Sequence, residues 1–350
     1  MEKLSAYACY NKDENVRLNS SSGAIFSILA EYIFQKKGIV YGVAMSEDCY
    51  SAEYIGITCK EDLGKLRGSK YMQAKVGDTF RQIKKHLTDG REVLFSGTGC
   101  QVNGLRYYLG KNYDNLICLD IICHGVPSPA LWKKYVQYQE EKNHGKLKYV
   151  NFRCKDDSWE KFGIQEIIKK FPKNNLKQKY IPKDMDSYMQ MFLNNYCLRP
   201  SCYECIAKKN KMSDLTIADF WGIESVAPEM DDGKGTSLVL IRTEKGNEIF
   251  QNIKSEVELK EVTYEAGVKG NPSEYCSVNK PVERDTFFEY MRNMRFEELE
   301  KIYNLSVKSK FKKRLKYIIR THVLDRGGAK VMQITDYYLC FLFECERKSL

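Results

Sequence analysis

Residues 91–142 read REVLFSGTGCQVNGLRYYLGKNYDNLICLDIICHGVPSPALWKKYVQYQEEK, and this stretch decides the fold. It contains two short apolar runs, each ending in a glycine-containing turn and each followed by a helical pattern. Alternating strands and helices imply parallel strands joined by a crossover. Buried parallel strands are typically continuous apolar runs, as these are. We therefore predict an α/β fold with a mainly parallel or mixed sheet flanked by helices, an irregular cysteine-bearing loop region and a helical C-terminal appendix.

The same rules apply on both sides of this stretch. Before it, we predict helices over residues 22–37, 61–68 and 78–87 and strands over 38–46 and 52–59. After it, we predict strands over 148–156 and 162–171 followed by a loop, a helix over 187–193, strands over 213–223 and 235–246, and a helix over 245–253. We divide the chain into an N-terminal subdomain (1–80), a central α/β domain (81–255) and an appendix (256–350).

The composition is that of a globular protein, with 350 residues, 43% hydrophobic and 29% charged. No apolar run approaches the roughly 18–20 residues that cross a bilayer, and the start MEKLSAYACYNKDENV lacks the apolar core of a signal peptide. We therefore expect a cytoplasmic protein.

The net charge of +10 comes largely from lysine-rich loops and a basic segment at residues 309–320. No RNA- or DNA-binding motif accompanies this charge, so we expect no nucleic-acid partner. The basic segment carries apolar residues on one side. This pattern fits either a solvated helix or a peripheral contact with an anionic membrane.

The chain has 13 cysteines, an odd number that suits a reducing compartment better than a disulfide framework. Four of them stand out. Cys100 and Cys123 each follow the carboxyl end of a predicted parallel strand, and neighbouring strands are about 4.8 Å apart. Cys202 and Cys205 form a C-x-x-C pair in a polar, basic loop. We interpret most of the others as small buried hydrophobic residues: Cys49, Cys59, Cys118, Cys154, Cys276, Cys340 and Cys345.

Four thiolates are the number that a [4Fe–4S] cluster or a structural zinc ion requires. Thioredoxin-like chemistry is disfavoured, because that C-x-x-C follows a strand and opens a helix. His124, directly after Cys123, is a candidate ligand or proton donor, or a hydrogen-bonded loop histidine.

Four loops suit an anionic or planar ligand. Small hydroxyl residues before the predicted helix at 22–37 would let an anion approach its N-terminus, although a plain serine cap explains them equally well. In the second loop, the cations Arg67 and Lys70 flank a turn at Gly68. The third loop is the turn with Gly97 and Thr98 before Cys100, and the fourth contains Asp219 at the end of a predicted strand. The full G-x-G-x-x-G fingerprint is missing, so a nicotinamide site is not supported. The candidate residues are Asn19, Ser20, Ser21, Ser22, Gly23, Arg67, Gly68, Ser69, Lys70, Gly97, Thr98 and Asp219.

These loops, in this order, resemble the beta subunit family of coenzyme F420 hydrogenase and dehydrogenase. The matching segments, within roughly residues 5–250, are NSSSGA, KLRGSKYMQA, VLFSGTGCQVNGL, DIICHGVPSP, RPSCYECIAK and SDLTIADFWGI. The resemblance implies an α/β flavoprotein with FAD and at least one [4Fe–4S] cluster, which exchanges electrons with coenzyme F420 or another two-electron acceptor. It implies flavin binding in residues 1–80 and both cofactors in residues 81–255.

Position by position, the resemblance implies Cys100, Cys123, Cys202 and Cys205 as cluster ligands, and it implies that Ser21, Ser22, Gly23 and Lys70 face the flavin. With Lys70 near the flavin ring and His124 beside a ligand, we assign both as candidate catalytic residues. This chain begins at SAYACY, without the ferredoxin-like domain of many relatives, so we expect an external ferredoxin-like electron donor or acceptor. It also reads SSGA and GTGC where SSGG and GTPC are usual.

The leading hypothesis is an iron–sulfur flavoprotein oxidoreductase that relays electrons between a [4Fe–4S] cluster, FAD and an acceptor such as coenzyme F420. One alternative is a flavin-dependent reductase of polysaccharide biosynthesis. Another is a non-catalytic scaffold or membrane-surface adaptor derived from the same family.

Overall fold

The computed structural model describes residues 4–303, which form one compact unit. Its strands, in chain order, are β1 (Ser5–Asn11), β2 (Ile39–Met45), β3 (Ala52–Ile57), β4 (Ala74–Lys75), β5 (Val93–Thr98), β6 (Leu116–Ile121), β7 (Gly145–Cys154), β8 (Gly163–Lys170), β9 (Leu176–Pro182), β10 (Leu215–Asp219), β11 (Ser237–Ile241) and β12 (Val257–Val262).

The α-helices in this part of the chain are α1 (Glu14–Leu18), α2 (Ile25–Gln35), α3 (Leu63–Leu66), α4 (Thr79–Thr88), α5 (Gly99–Leu109), α6 (Pro129–Asn143), α7 (Ser187–Leu193), α8 (Ile223–Val226), α9 (Glu244–Ile253), α10 (Tyr264–Val268), α11 (Arg284–Asn293) and α12 (Phe296–Tyr303). None of the helices within residues 4–303 is both long and apolar enough to cross a membrane.

Nine strands form one mixed sheet in the order β12-β1-β11-β10-β6-β5-β2-β3-β4. Its centre is parallel, since β10, β6, β5 and β2 run in one direction. Both flanks contain antiparallel pairs, including β1 between β11 and β12. The remaining strands, β7, β8 and β9, form a separate antiparallel sheet. The predicted α/β class with a mixed, helix-flanked sheet is confirmed.

The central strands form because their side chains are buried on both faces. Val93, Leu94 and Phe95 of β5 are fully buried, as are Leu116 and Leu119 of β6. Helices cover the two faces of the sheet, so a continuous apolar run is stable there. The two strands pair in parallel with Thr98 opposite Ile121. Their carboxyl ends therefore meet at one edge, as the sequence predicted.

The structure differs from the sequence-based predictions at several elements: the short helix α1 and the two-residue strand β4 were not predicted, and there are three larger differences. The loop predicted after residue 171 contains strand β9, which pairs with β8. Strand β1 was not predicted, because a short mixed segment gives no clear period. Residues 256–303, assigned to the appendix, supply β12 to the large sheet and three helices to the same compact unit. The division of the chain at residues 80 and 255 stays a prediction, and the basic segment 309–320 lies outside the described residues.

Candidate functional site

Two of the predicted cysteines sit at the carboxyl edge of the parallel strands. Cys100 lies in the first turn of α5, directly after β5, and its side chain is exposed. The turn is fixed by Gln101, whose Oε1 accepts hydrogen bonds from the backbone N–H of Thr98 and from the Tyr54 hydroxyl. Cys123 follows β6 by two residues and is half-buried.

The C-x-x-C loop is tied to the segment that follows Cys123. The backbone N–H of Arg199 donates to the carbonyl of Val126, and Pro127 forms a β-bridge with Leu198. In return, the backbone N–H of Val126 lies 3.4 Å from the Cys202 sulfur and donates to it. The N–H of Cys205 donates to the Ser277 hydroxyl. Distant parts of the chain thus hold the pair beside the sheet edge.

All four predicted cysteines line a single cavity, which we call the cysteine cavity. Its free space, mouth included, is about 400 Å³. Backbone and side chains from β5, β6, the C-x-x-C loop and the segment around Ser273 surround it. The lining residues are Thr98, Gly99, Cys100, Ile121, Cys123, His124, Gly125, Val126, Cys202, Cys205, Ala207, Lys208, Lys211 and Ser273.

Burial and nearby charges shift the pKa of two of these thiols. Burial raises the pKa of the Cys123 thiol to about 12, with Cys100 adding to the rise and the nearby Lys208 opposing it. Burial also raises the pKa of Cys202. Without a bound cation, the Cys123 and Cys202 thiols are protonated at neutral pH. Metal binding displaces such protons, because only the thiolate is a ligand.

Two lysines bring positive charge to the cavity. Lys208 Nζ donates to the carbonyl oxygen of Cys123 at 2.6 Å and also to that of Ser273. Lys211 Nζ lies 2.8 Å from a carboxylate oxygen of the buried Glu274. Burial lowers the pKa of Lys208.

His124 lines the same cavity, and its ring already has partners. Its Nε2 is 2.7 Å from the side-chain oxygen of Asn195, and Phe192 packs edge-on against it. Burial lowers the pKa of His124, so the ring is neutral at pH 7. These contacts match a hydrogen-bonded loop histidine. A role in proton donation stays a prediction.

The remaining cysteines follow the prediction in part. Cys49, Cys118 and Cys154 are buried, as predicted, and Cys59 is half-buried. The prediction for Cys276 was wrong, because its side chain is exposed. Cys340 and Cys345 lie outside the described residues. Across residues 4–303 no cysteine is in a disulfide, and no three His, Cys, Asp or Glu side chains are grouped closely enough to hold a single metal ion.

A second polar region lies where the predicted serine loop meets the smaller sheet; we call it the serine–arginine cluster (Ser21, Ser69, Arg153, Lys155 and Asp219). The Ser21 hydroxyl accepts from the backbone N–H of Ser69 at 3.0 Å. The nearly buried Arg153 guanidinium pairs with Asp219 at 3.0 Å and donates to the Ser21 carbonyl. The cluster therefore joins four segments that are far apart in sequence.

Lys155 completes the cluster. Its Nζ donates to three backbone carbonyls, those of Arg17, Ser22 and Lys234, at 2.8–3.1 Å. Burial, together with the nearby charge of Arg153, lowers the pKa of Lys155 to about 8. The Arg153 guanidinium also lies 3.8 Å from the centre of the Phe162 ring. Arg153 and Lys155 were not predicted as ligand positions from the sequence. The available signal was an arginine between Phe152 and Cys154 in a buried strand.

Other predicted ligand positions are already hydrogen-bonded within the protein. The Ser22 hydroxyl and the Gly23 N–H bond to Thr236 and Ser237 near the start of β11. Lys70 Nζ donates to three carbonyls at the end of α3, those of Lys65, Leu66 and Arg67. Burial lowers the pKa of Lys70 to about 7.

The last predicted positions are spread along the edges of these two regions. Asn19 and Ser20 bond back to α1 carbonyls. Arg67 Nε donates to the Ser27 hydroxyl of α2. Gly68 has a left-handed backbone with φ of +79°. Gly97 packs against the Tyr54 hydroxyl, whereas Thr98 lines the cysteine cavity.

The fold and the site together define an α/β protein with a four-cysteine cavity at the carboxyl edge of its central parallel strands. The chain belongs to the coenzyme F420 hydrogenase/dehydrogenase beta subunit family. The profile of the family's C terminus matches residues 90–266, and that of its N-terminal region matches residues 6–80. This confirms the resemblance inferred from the sequence.

Among solved structures, the chain is similar to one in the F420-reducing [NiFe] hydrogenase complex from Methanosarcina barkeri. The two share 15% sequence identity with a TM-score of 0.48, over 86% of this chain and 91% of that chain. A search of curated proteins found no match.

Proposed function

We propose that this protein is an iron–sulfur flavoprotein oxidoreductase that relays electrons between a [4Fe–4S] cluster, FAD and a two-electron acceptor such as coenzyme F420. The observation that carries the proposal is the convergence of four thiols, from residues 100, 123, 202 and 205, on one cavity. Family membership supports it independently. When bound, a flavin exchanges electron pairs and an iron–sulfur cluster passes single electrons.

The cavity residues fit a cluster by their chemistry. Cys100, Cys123, Cys202 and Cys205 supply the four thiolates that a [4Fe–4S] cluster takes. The backbone N–H of Val126 donates to the Cys202 sulfur, and such bonds stabilise a thiolate. Lys208 and Lys211 bring positive charge to a site that would gain several negative charges.

The serine–arginine cluster fits the phosphate part of a dinucleotide. Arg153 and Lys155 are two cations in a largely buried setting, and Asp219 is the carboxylate of the pair with Arg153. Among the described residues, the buried Nε of Arg153 has no hydrogen-bond partner. An arginine with an unused buried donor suits a phosphate oxygen, since guanidinium groups bind phosphate through paired N–H donors. We assign FAD phosphate binding to Ser21, Arg153 and Lys155.

Protein partners follow from the same proposal. Cys100 is exposed and also lines the cavity, so a ferredoxin-like carrier can approach the site from its side. We propose such a carrier as the external electron donor or acceptor.

Anaerobic purification followed by iron, sulfide, zinc and flavin analysis tests the proposal. We expect about four iron and four sulfide per chain, the content of one cluster, together with flavin. Replacing Cys202 by Ser should remove most of the iron and sulfide, because a hydroxyl is a poor substitute for a thiolate. Cys276→Ser is the matched control: this cysteine is exposed and does not line the cavity, so iron should stay bound. Zinc without sulfide in the unmodified protein would overturn the proposal.

A further inference from the structure

The two lysines of the cysteine cavity differ in how their charges are balanced. Lys211 faces two carboxylates, Glu274 at 2.8 Å and Asp120 at 3.9 Å. Lys208 has no carboxylate within ion-pair distance in residues 4–303, although its side chain is partly buried beside the thiols. Among the residues described, Lys208 is therefore the cavity lysine without an ion-pair partner, and Glu274, which pairs with Lys211, acts on it only as a more distant charge.

Lys208 is also held in place. Its ammonium donates to the carbonyl of Cys123 and to that of Ser273, which joins the end of β6 to the segment on the other side of the cavity. An ammonium has three N–H donors. Two are used by these carbonyls, and one is left for a group in the cavity.

A partly buried cation without a carboxylate partner is costly unless an anion binds beside it. The cavity offers a place for such an anion, since four thiolates with iron and sulfide carry net negative charge. Each electron added makes that charge more negative. A fixed positive charge nearby therefore favours the reduced state, and the effect is larger where water is excluded.

We propose that Lys208 sets the charge of the cysteine cavity and raises the reduction potential of the cluster bound there. The inference rests on the proposed function and gives a role to Lys208, the last residue of the segment RPSCYECIAK, to which no role was assigned from the sequence. Potentials of iron–sulfur clusters depend on net charge, on hydrogen bonds to sulfur and on exposure. Lys208 acts through the net charge of the site, and its hydrogen bond to the Cys123 carbonyl positions that cysteine.

The test is a redox titration of the anaerobically purified full chain with dithionite as reductant, followed by electron paramagnetic resonance. Lys208→Met removes the charge, and Lys208→Gln removes the charge but keeps N–H donors. We expect both to lower the equilibrium constant for reduction about tenfold, or about 59 mV for one electron. Lys208→Arg keeps the charge and should titrate like the unmodified protein. Lys209→Met is the matched control, because Lys209 is exposed and outside the cavity lining.

The outcomes separate this inference from the function on which it rests. If the Met and Gln variants keep their iron and their reduction potential is unchanged, the role of Lys208 is overturned, while the proposed function stands. An equal shift in Lys209→Met would also overturn it, since any surface charge would then suffice. Loss of iron from the Arg variant as well as from Met and Gln would mean that side-chain shape, rather than charge, matters. Absence of iron and sulfide from the unmodified chain would instead contradict the proposed function.

Discussion

The cysteine cavity and the serine–arginine cluster are both polar regions built from distant segments, but their side chains are used differently. In the cavity, four thiols face shared space, and one lysine lacks a carboxylate partner within the described chain. In the cluster, the hydroxyl of Ser21 bonds to Ser69, Arg153 pairs with Asp219, and Lys155 bonds to three carbonyls. The cavity leaves room for a ligand, whereas the cluster is cross-linked by its own groups.

This difference shows what each region needs in order to bind. A metal bound in the cavity would replace thiol protons, and the hydrogen bond from the Val126 N–H to the Cys202 sulfur can stay in place. A phosphate reaching the cluster would instead exchange with existing hydrogen bonds, and only the Nε of Arg153 is unused there. We therefore expect the cluster to stabilise the fold even without a ligand. Substitutions in the cluster, followed by unfolding measurements, test this.

The largest effect should come from breaking the buried ion pair. Asp219→Asn leaves the nearly buried Arg153 charge without its partner. We expect a loss of about 3–5 kcal/mol in the free energy of unfolding, measured by urea denaturation. Glu258→Gln, which removes the exposed partner of Lys12, is the control and should change little. Equal effects of the two substitutions would show that the cluster is not cross-linked by this pair.

The next effect concerns the space around Gly23. A Cβ at this position would lie 2.4 Å from the Cys9 carbonyl oxygen and 2.8 Å from the Ser237 nitrogen. Since both are backbone atoms in neighbouring strands, Gly23→Ala should cost about 1–3 kcal/mol in thermal or urea unfolding. Gly104→Ala places its Cβ at ordinary distance from Phe80, in helix α5, and should not destabilise the protein. If Gly23→Ala does not change the free energy of unfolding, packing does not require this glycine, and close approach of a ligand would explain it instead.

Lys155 should give the cluster a pH dependence. Its pKa is about 8 in the folded protein, because burial disfavours the charge, and about 10.4 in the unfolded chain. Between these values the unfolded chain binds more protons, so the free energy of unfolding rises with pH. The rise is at most about 1.4 kcal/mol per pH unit. Below pH 8 the cost of burying the charge is fully present.

Urea unfolding at pH 7.5 and pH 9.5 measures this rise. Lys155→Met should flatten it, whereas Lys161→Met, at an exposed position, should keep the slope of the unmodified protein. If the free energy of unfolding changes equally with pH in all three proteins, a group other than Lys155 is responsible for the pH dependence.

The smallest effect should come from Gly68. Its φ of +79° is in the left-handed region, and no atom lies within 4 Å of the position of a Cβ. Gly68→Ala should therefore cost about 1 kcal/mol through backbone conformation alone. Gly64→Ala, also without close neighbours but within helix α3 and at negative φ, should be neutral or stabilising. An equal increase in stability from both substitutions would contradict the left-handed backbone conformation at Gly68.

The central fold and the cavity could be predicted because their signals are local. Continuous apolar runs identified β5 and β6, and parallel pairing then placed Cys100 and Cys123 at one edge. Helix α7 begins and ends at the predicted residues, since Asp186 caps it and its apolar residues recur at helical spacing.

What could not be predicted depends on long-range pairing. Strand β12 alternates charged and apolar residues at a sheet edge, and its partner β1 lies about 250 positions earlier in the chain. The ion pair between Arg153 and Asp219 joins two sheets that have no common sequence pattern. The three carbonyls that Lys70 contacts at the end of α3 were not predicted either, and its role in facing a ligand stays a prediction. Such contacts are decided by tertiary packing.

Strand β1 has a consequence for biosynthesis. Residues 5–11 are translated before both of their neighbours in the sheet, Ser237–Ile241 and Val257–Val262, which follow more than 220 residues later. Until then the nascent chain carries an unpaired strand edge, the kind of surface on which chaperones act and through which incomplete chains aggregate. The large sheet can therefore close around β1 only after residue 262 has been translated.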